Sequence, residues 1–336
     1  MKHKLYTLIV ALSMTSTVVN AQHKCFFNHL ELGVTLGTTG IGFDVTMPAT
    51  DWIWLRTGMS YMPQVEVPMT FGVQVGDDPE ESQSKFDRLS GYLSSITGNQ
   101  IKSEVEMLGK PRFWNWNFMV DVFPLKSNRH WHATAGFFLG PSKVARAYNK
   151  TESMSSLLAV TIYNNMYDKL HGLTLRELAQ VKLFDFPDMD LGTDLDMLKA
   201  LQSGLDYNGR MGVQLGTYKH DIKDKEGNVI HQKGEQYKMD PDENSMVSAE
   251  MTVNAFKPYI GIGYEGRLIK SEDRLAIGFD AGVMLWGGTP HLTTHDGTDL
   301  IHDVENVPGK VGDYVSAMKQ FKAFPLLNLR IVYKLF

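Results

Sequence analysis

The sequence predicts an all-β fold: an antiparallel eight-stranded transmembrane β-barrel that carries a mixed helix and hairpin extracellular cap. Three observations predict it. Eight segments alternate apolar and polar residues at period two, as a strand with two unlike faces does. The connections between these segments sort by length, with short turns at one end and long inserts at the other. Beyond the amino-terminal segment, no apolar run approaches the roughly 20 residues of a spanning helix. A chain that crosses lipid without such a helix must satisfy its backbone hydrogen bonds in a closed barrel.

Residues 1–21 read as a secretory signal, with Lys2 and Lys4 as its positive start, Leu5 to Met14 as its apolar centre and Val19-Asn20-Ala21 as a small-residue cleavage site. The expected mature chain is 22–336. Cys25 is the only cysteine, which excludes an internal disulfide framework, and Lys24 stands where a lipoprotein signal needs a small residue. The formal net charge of −5 becomes −7 once Lys2 and Lys4 are removed, which argues against a nucleic-acid partner.

The first strand, near 29–37, sets Leu30, Leu32, Val34 and Leu36 against Glu31, Gly33, Thr35 and Gly37. The second, near 40–47, sets Ile41, Phe43, Val45 and Met47 against Gly42, Asp44 and Thr46, and a tight turn follows at Pro48 to Asp51. The third, near 52–62, opposes Ile53, Leu55, Thr57, Met59 and Tyr61 to Trp52, Trp54, Arg56, Gly58 and Ser60; its apolar parity carries on from Val65 to Val75. The fourth, near 113–123, turns Trp114, Trp116, Phe118, Val120 and Val122 outward and Asn115, Asn117, Met119 and Asp121 inward. The fifth, near 130–140, alternates Trp131, Ala133, Ala135, Phe137 and Leu139 with His132, Thr134, Gly136 and Phe138. The sixth, near 256–266, places Phe256, Ile260, Ile262 and Tyr264 outward and Tyr259, Gly261, Gly263 and Glu265 inward. The seventh, near 274–286, opposes Leu275, Ile277, Phe279, Ala281, Val283 and Leu285 to Ala276, Gly278, Asp280, Gly282, Met284 and Trp286; the eighth runs near 324–336.

Three inserts, 76–112, 141–255 and 287–320, interrupt this series. In the first, Asp78-Pro79-Glu80-Glu81 marks a helix start, with an N-cap carboxylate, proline in the first turn and acids facing the dipole. In the second, Met154, Leu158, Ile162, Met166 and Leu170 recur at helical spacing, Thr174 and Glu177 form a capping box, and Asp194 to Ser203 read as a further short helix. Met211 to Asp221 and Val229 to Tyr237 read as a hairpin turning across Asp224 to Asn228, polar on both faces. The long inserts follow strands three, five and seven, whereas the turns after strands two, four and six are short; at the insert end only the first connection, around Thr38-Thr39-Gly40, is short as well. Membrane barrels show this asymmetry, with short periplasmic turns and longer extracellular loops.

The last ten residues, Leu327 to Phe336, put Leu327, Leu329, Ile331, Tyr333 and Leu335 on one face and Asn328, Arg330, Val332 and Lys334 on the other. An exported chain that ends in such a strand resembles the small eight-stranded, OmpA-like outer-membrane barrels. Phe336 departs from that pattern, because it falls in the polar register. The resemblance implies a cell outer-membrane location, outer-membrane lipid around the barrel, and the barrel-assembly machinery as a partner that reads the carboxy-terminal strand.

The inward face gathers Glu31, Asp44, Asp121, Glu265 and Asp280 with Arg56, Arg330 and Lys334, and Lys257 lies nearby. An eight-stranded barrel is just wide enough inside for side chains to fill it, so near-balanced charge there is expected to form an ion-paired plug. The leading expectation for function is therefore a structural or surface ligand-binding barrel whose cap meets an extracellular ligand, with no catalytic residue, no cofactor and no enzyme activity assigned. Two other readings stay open: a small-solute channel, and a lipid-modifying enzyme of the kind found among small outer-membrane barrels. The enzyme would need a nucleophile such as Ser60 beside a histidine, yet His130 and His132 fall toward the opposite end of the strands. In the last insert His291, His295, Asp296 and Asp299, followed by His302 and Asp303, offer metal-ligand types without a loop signature. That stretch and the acid-rich run from Asp185 to Asp196 are expected to be solvated polar loops.

Overall fold

The computed structural model of the chain describes residues 29–125, 128–181, 195–269, 272–320 and 322–335. The expected signal, Cys25, most of the acid-rich run and Phe336 lie outside these residues. Numbered along the chain, the strands are β1 (Glu31–Gly37), β2 (Gly40–Pro48), β3 (Ile53–Met62), β4 (Val67–Val75), β5 (Glu104–Pro111), β6 (Phe113–Val122), β7 (Trp131–Leu139), β8 (Lys143–Asn149), β9 (Met211–Tyr218), β10 (Ile222–Lys223), β11 (Val229–His231), β12 (Gln236–Met239), β13 (Ser248–Thr252), β14 (Phe256–Ile269), β15 (Glu272–Leu285), β16 (His291–Thr294), β17 (Val304–Glu305) and β18 (Ala323–Lys334). Helices span Pro79–Thr97, Met154–Leu170, Leu175–Leu178, Leu195–Asn208 and Gly309–Gln320.

Eight of these strands close a barrel in the order β1-β18-β15-β14-β7-β6-β3-β2, each antiparallel to its neighbours. The terminal strand makes the closure, pairing Glu31 with Lys334 and Val34 with Ile331. Alternation then fixes the two faces. Leu32, Val34, Phe43, Ile260, Ile262, Phe279, Leu329 and Ile331 are exposed on the outside, whereas Glu31, Asp44, Arg56, Asp121, Asp280 and Arg330 are buried inside. Aromatic residues mark both ends of the outer face. Tyr61 pairs with Trp114 near the end where the inserts emerge. At the short-turn end Trp131 meets Tyr264 edge-on at 5.1 Å. An apolar belt between aromatic girdles is the surface of a lipid-embedded barrel.

The inserts do not form separate loops. Strands from all three build one sheet over the barrel mouth, in the order β12-β9-β4-β5-β8-β13-β16, with β17 added beside β9. Several are direct upward continuations of the wall: only Arg112 separates β5 from β6, and 253–255 separate β13 from β14. The helices pack against this sheet around Phe71, Val75, Phe86, Leu157, Leu170, Val213 and Val304, a core independent of the lumen. The helix Pro79–Thr97 starts as its sequence specifies: Asp78 caps it by accepting from the Glu80 amide at 2.9 Å, and Gly98 ends it at φ 70°.

Three insert expectations need correction. Val65 to Val75 does rise above the barrel beside the continuation of β6, but as a separate strand and not one unbroken β3: 63–66 are irregular, and β4 pairs with β5 and then with β9. The cap is not only helices and a hairpin: β5, β8, β13 and β16 form a sheet whose partners lie far apart in sequence. The hairpin turns across Asp224–Asn228, whose Asp224 carboxylate accepts from the Glu226 and Asn228 amides at 2.9 and 2.8 Å, but β9 is not polar on both faces. Its residues are almost all buried, because it runs through the cap core as a central strand beside β4 and β12.

Candidate functional site

The barrel lumen brings all eight of the inward charges together in pairs. Arg56 donates from Nη1 to Asp280 Oδ2 at 2.7 Å and from Nη2 to Asp121 Oδ1 at 3.1 Å. Arg330 donates to Asp44 Oδ1 at 2.6 Å and reaches Glu265 Oε2 at 3.5 Å. Lys334 lies 3.7 Å from Glu31 Oε1, nearer the short-turn end. Period-two alternation aims these side chains inward, and glycines on the same face leave them room. A Cβ at Gly263 would sit 2.2 Å from His132 Nε2, and one at Gly33 would sit 2.5 Å from Asp44 Oδ1.

Four further residues complete the layer. His132 Nε2 lies 3.2 Å from Asp280 Oδ1. Thr134 donates to Asp121 at 2.6 Å, the Thr46 hydroxyl accepts from Arg330 at 3.2 Å, and the His29 ring lies 2.8 Å from Glu31. Strand parity already turns His132, Thr134 and Thr46 inward, so the signal was present in the sequence.

Above this charged layer, toward the cap, comes an apolar one: Met119, Phe138, Tyr259, Met284 and Leu326, with Trp286 and Phe324 against it. Phe138 and Tyr259 meet edge to face at 5.7 Å. Among the described residues a small cavity of about 30 Å³ lies between the two layers. At the short-turn end the lumen widens into a vestibule of about 520 Å³ whose walls include Trp54, His130, Glu265 and Lys334.

Among the cavities of the cap, two adjoin each other. One of about 380 Å³ lies between the sheet and the helix Gly309–Gln320, and its lining includes Met69, Met107, Met251, Leu292, Val311 and Tyr314. Its floor is made of small residues: Gly109 pairs with Ala147, and Ala147 with Ala249. The other, about 140 Å³, lies where cap meets barrel, beside Lys257, Asn115 and Trp286.

The metal-type residues of the last insert divide. Asp299 accepts at one oxygen, Oδ2, from His291 Nδ1 at 2.7 Å and His302 Nδ1 at 2.9 Å, while its Oδ1 takes the Ile301 amide at 2.9 Å. Burial opposes the Asp299 charge, but the hydrogen bonds from His291, the Ile301 amide and His302 outweigh it and hold the carboxyl below its ordinary pKa. Asp296 is not part of this cluster; it accepts from Thr294 Oγ1 at 2.6 Å, from the Thr298 amide at 2.9 Å and from the Tyr237 hydroxyl at 2.7 Å. His295 instead sits against the Ser248 amide at 3.5 Å. Two imidazoles and a carboxylate suit zinc or a similar ion. In this geometry they satisfy one another.

The closed sheet and its lipid-facing belt decide what kind of protein this is. The chain is an integral membrane β-barrel. No protein-family model matches the sequence, and no curated protein matches it. Among solved structures it is similar to Acinetobacter baumannii CarO2, at 12% identity and a TM-score of 0.34 over 91% of this chain and 98% of that one. Acinetobacter baumannii CarO is similar at 10% identity and a TM-score of 0.37, over 92% and 99% of the respective chains. Likeness at that level says nothing about a ligand or an activity.

Proposed function

We propose that the barrel is a closed membrane anchor whose cap faces the cell exterior and binds a ligand there. The observation that carries this reading is the lumen, filled at two successive levels by paired charges and by packed apolar side chains. Such an interior holds a rigid wall and leaves no water-filled path through it. The space suited to a ligand lies instead in the cap, where all three inserts converge on one sheet. The large connections leave the barrel at a single end, and barrels of this kind direct their longer loops outward. A catalytic reading gains no support from Ser60, whose buried Oγ has no hydrogen-bond partner, or from His132, which pairs with Asp280.

An epitope tag at Gly227, in the turn of the cap hairpin, is expected to be stained by antibody on intact cells. A tag at Asp51, in the turn between β2 and β3, is expected to stain only after the outer membrane is permeabilised. The reverse pattern would invert the topology and remove the surface-binding reading.

A further inference from the structure

Where the cap meets the barrel lies a buried ammonium that no carboxylate among the described residues balances. Lys257, one residue inside the cap end of β14, is 1% exposed. Its Nζ meets Asn115 Oδ1 at 3.3 Å and the Ala255 carbonyl at 3.4 Å. Among the described residues no carboxylate lies within ion-pair distance of it. Asn115 is itself fully buried, and its Nδ2 has no hydrogen-bond partner. Buried ammonium groups ordinarily come with a counter-charge, and buried amide N–H groups with an acceptor. Here the ammonium has two neutral acceptors but no counter-charge, the amide beside it has no acceptor, and both line the cavity of about 140 Å³ among Phe113, Met284, Trp286 and Phe324.

That cavity shares three wall residues, Pro111, Ala145 and Met251, with the larger cavity of about 380 Å³. The larger one is lined almost wholly by aliphatic and aromatic side chains and falls within the roughly 300–1,000 Å³ typical of small-molecule sites. Lys110 and Arg146 also border it, but both already have partners. Lys110 pairs with Glu66 at 2.8 Å and lies 4.8 Å from the Tyr148 ring, and Arg146 lies 3.9 Å from Glu250.

We propose that the two cavities together hold one single-chain amphiphile of the fatty-acid class. Its carboxylate accepts from Lys257 Nζ and Asn115 Nδ2. Its acyl chain passes Pro111, Ala145 and Met251 and lies on the small-residue floor of Gly109, Ala147 and Ala249, beneath the helix Gly309–Gln320. The anionic head supplies the missing counter-charge, and the chain fills space that the short side chains leave empty. This deepens the surface-cap reading and rests on it.

The test is binding of dodecanoic acid to the full mature chain in lipid nanodiscs, followed by titration calorimetry, with dodecanol and a phosphate-headed lysolipid as comparison probes. Saturable one-to-one binding of dodecanoate is expected, weakened at least tenfold by Lys257→Met and unchanged by Lys233→Ser, which removes an exposed cation of the cap hairpin remote from both cavities. Dodecanol should bind the native protein at least tenfold more weakly than dodecanoate. Ala147→Phe, which fills the floor, should weaken dodecanoate while leaving the barrel folded by heat-modifiable migration. Equal binding of dodecanoate and dodecanol by the native protein overturns the proposal, as does tighter binding of the lysolipid or Lys257→Met binding like native. The probe comparison needs no variant, so it decides even if Lys257→Met fails to fold. If dodecanoate does not bind while the Gly227 tag stays exposed on intact cells, the acyl site falls and the surface-cap reading stands.

Discussion

The lumen and the cap cavities use small residues for opposite ends. In the lumen, glycines such as Gly33 and Gly263 make room for large charged side chains, and the freed space is filled by Arg56, Arg330 and their carboxylates. In the cap, Gly109, Ala145, Ala147 and Ala249 line a sheet face, and the freed space stays open. The cations differ in the same way. Arg56 and Arg330 each face two carboxylates, whereas Lys257 faces none among the described residues. Small residues therefore do not by themselves identify a cavity. What distinguishes the two regions is whether neighbouring side chains are long enough, and suitably charged, to occupy the room.

The largest expected effect follows from breaking the filled side. Asp280→Ala leaves buried Arg56 with Asp121 alone and takes the nearer carboxylate from His132, and removing one partner of a buried pair costs about 3–5 kcal/mol. Urea unfolding of the purified barrel in lipid should show a loss of that order, and an unchanged midpoint would mean that the charged layer is solvated. Phe279→Lys comes next. It places a charge on the exposed lipid face of β15 at an expected cost of about 2–4 kcal/mol, while Phe279→Leu should fold nearly as the native chain does.

A pair of matched glycine substitutions sharpens the contrast. Gly263→Ala drives a methyl to within 2.6 Å of Asp280 Oδ1 and should destabilise by about 1–3 kcal/mol. Gly109→Ala meets the flexible end of Met69 at 3.0 Å and beyond it Val67 at ordinary contact distances of 3.6 and 3.9 Å, and should change stability by less than about 0.5 kcal/mol. Similar losses at both positions would erase the difference between a filled lumen and an open cap.

The smallest effect is acid softening of the cap. The carboxyls of Asp296 and Asp299 are both held below their ordinary pKa, against burial, by hydrogen bonds; for Asp296 these come from Thr294, the Thr298 amide and Tyr237. Because the folded pKa is depressed, this stabilisation is complete above the unfolded value of about 3.9 and fades as pH falls through the folded one. Hydrogen exchange of β16 and β9 should accelerate below that range, while the barrel strands stay protected. In Asp299→Asn the acceleration should be blunted.

The barrel was legible because its strands repeat one environment, lipid on one side and lumen on the other, so parity alone sorts Phe279 from Asp280. The charged residue types in the lumen were equally plain. Their pairing was not, since Arg56 meets Asp280 only after the sheet closes across 224 positions. The cap was harder to read for a related reason. β13 is five residues long, and its neighbours β8 and β16 come from different inserts, so no local period announces the sheet. The helix Gly309–Gln320 carries two glycines, which weaken its propensity, although Val311, Val315 and Met318 keep helical spacing. For Lys257 the alternation gives the direction, but the absence of a nearby acid is a three-dimensional fact.

Single-channel recording in planar bilayers tests the closed lumen most directly. Purified native barrel is expected to give no steady unitary current across a wide voltage range. Asp280→Ala, which opens the charged layer, is expected to raise leakage if it inserts. Large, steady, voltage-independent openings from the native protein would contradict the account, which has Arg56, Asp280 and Arg330, with Phe138 and Tyr259 packed above them, block the path of ions.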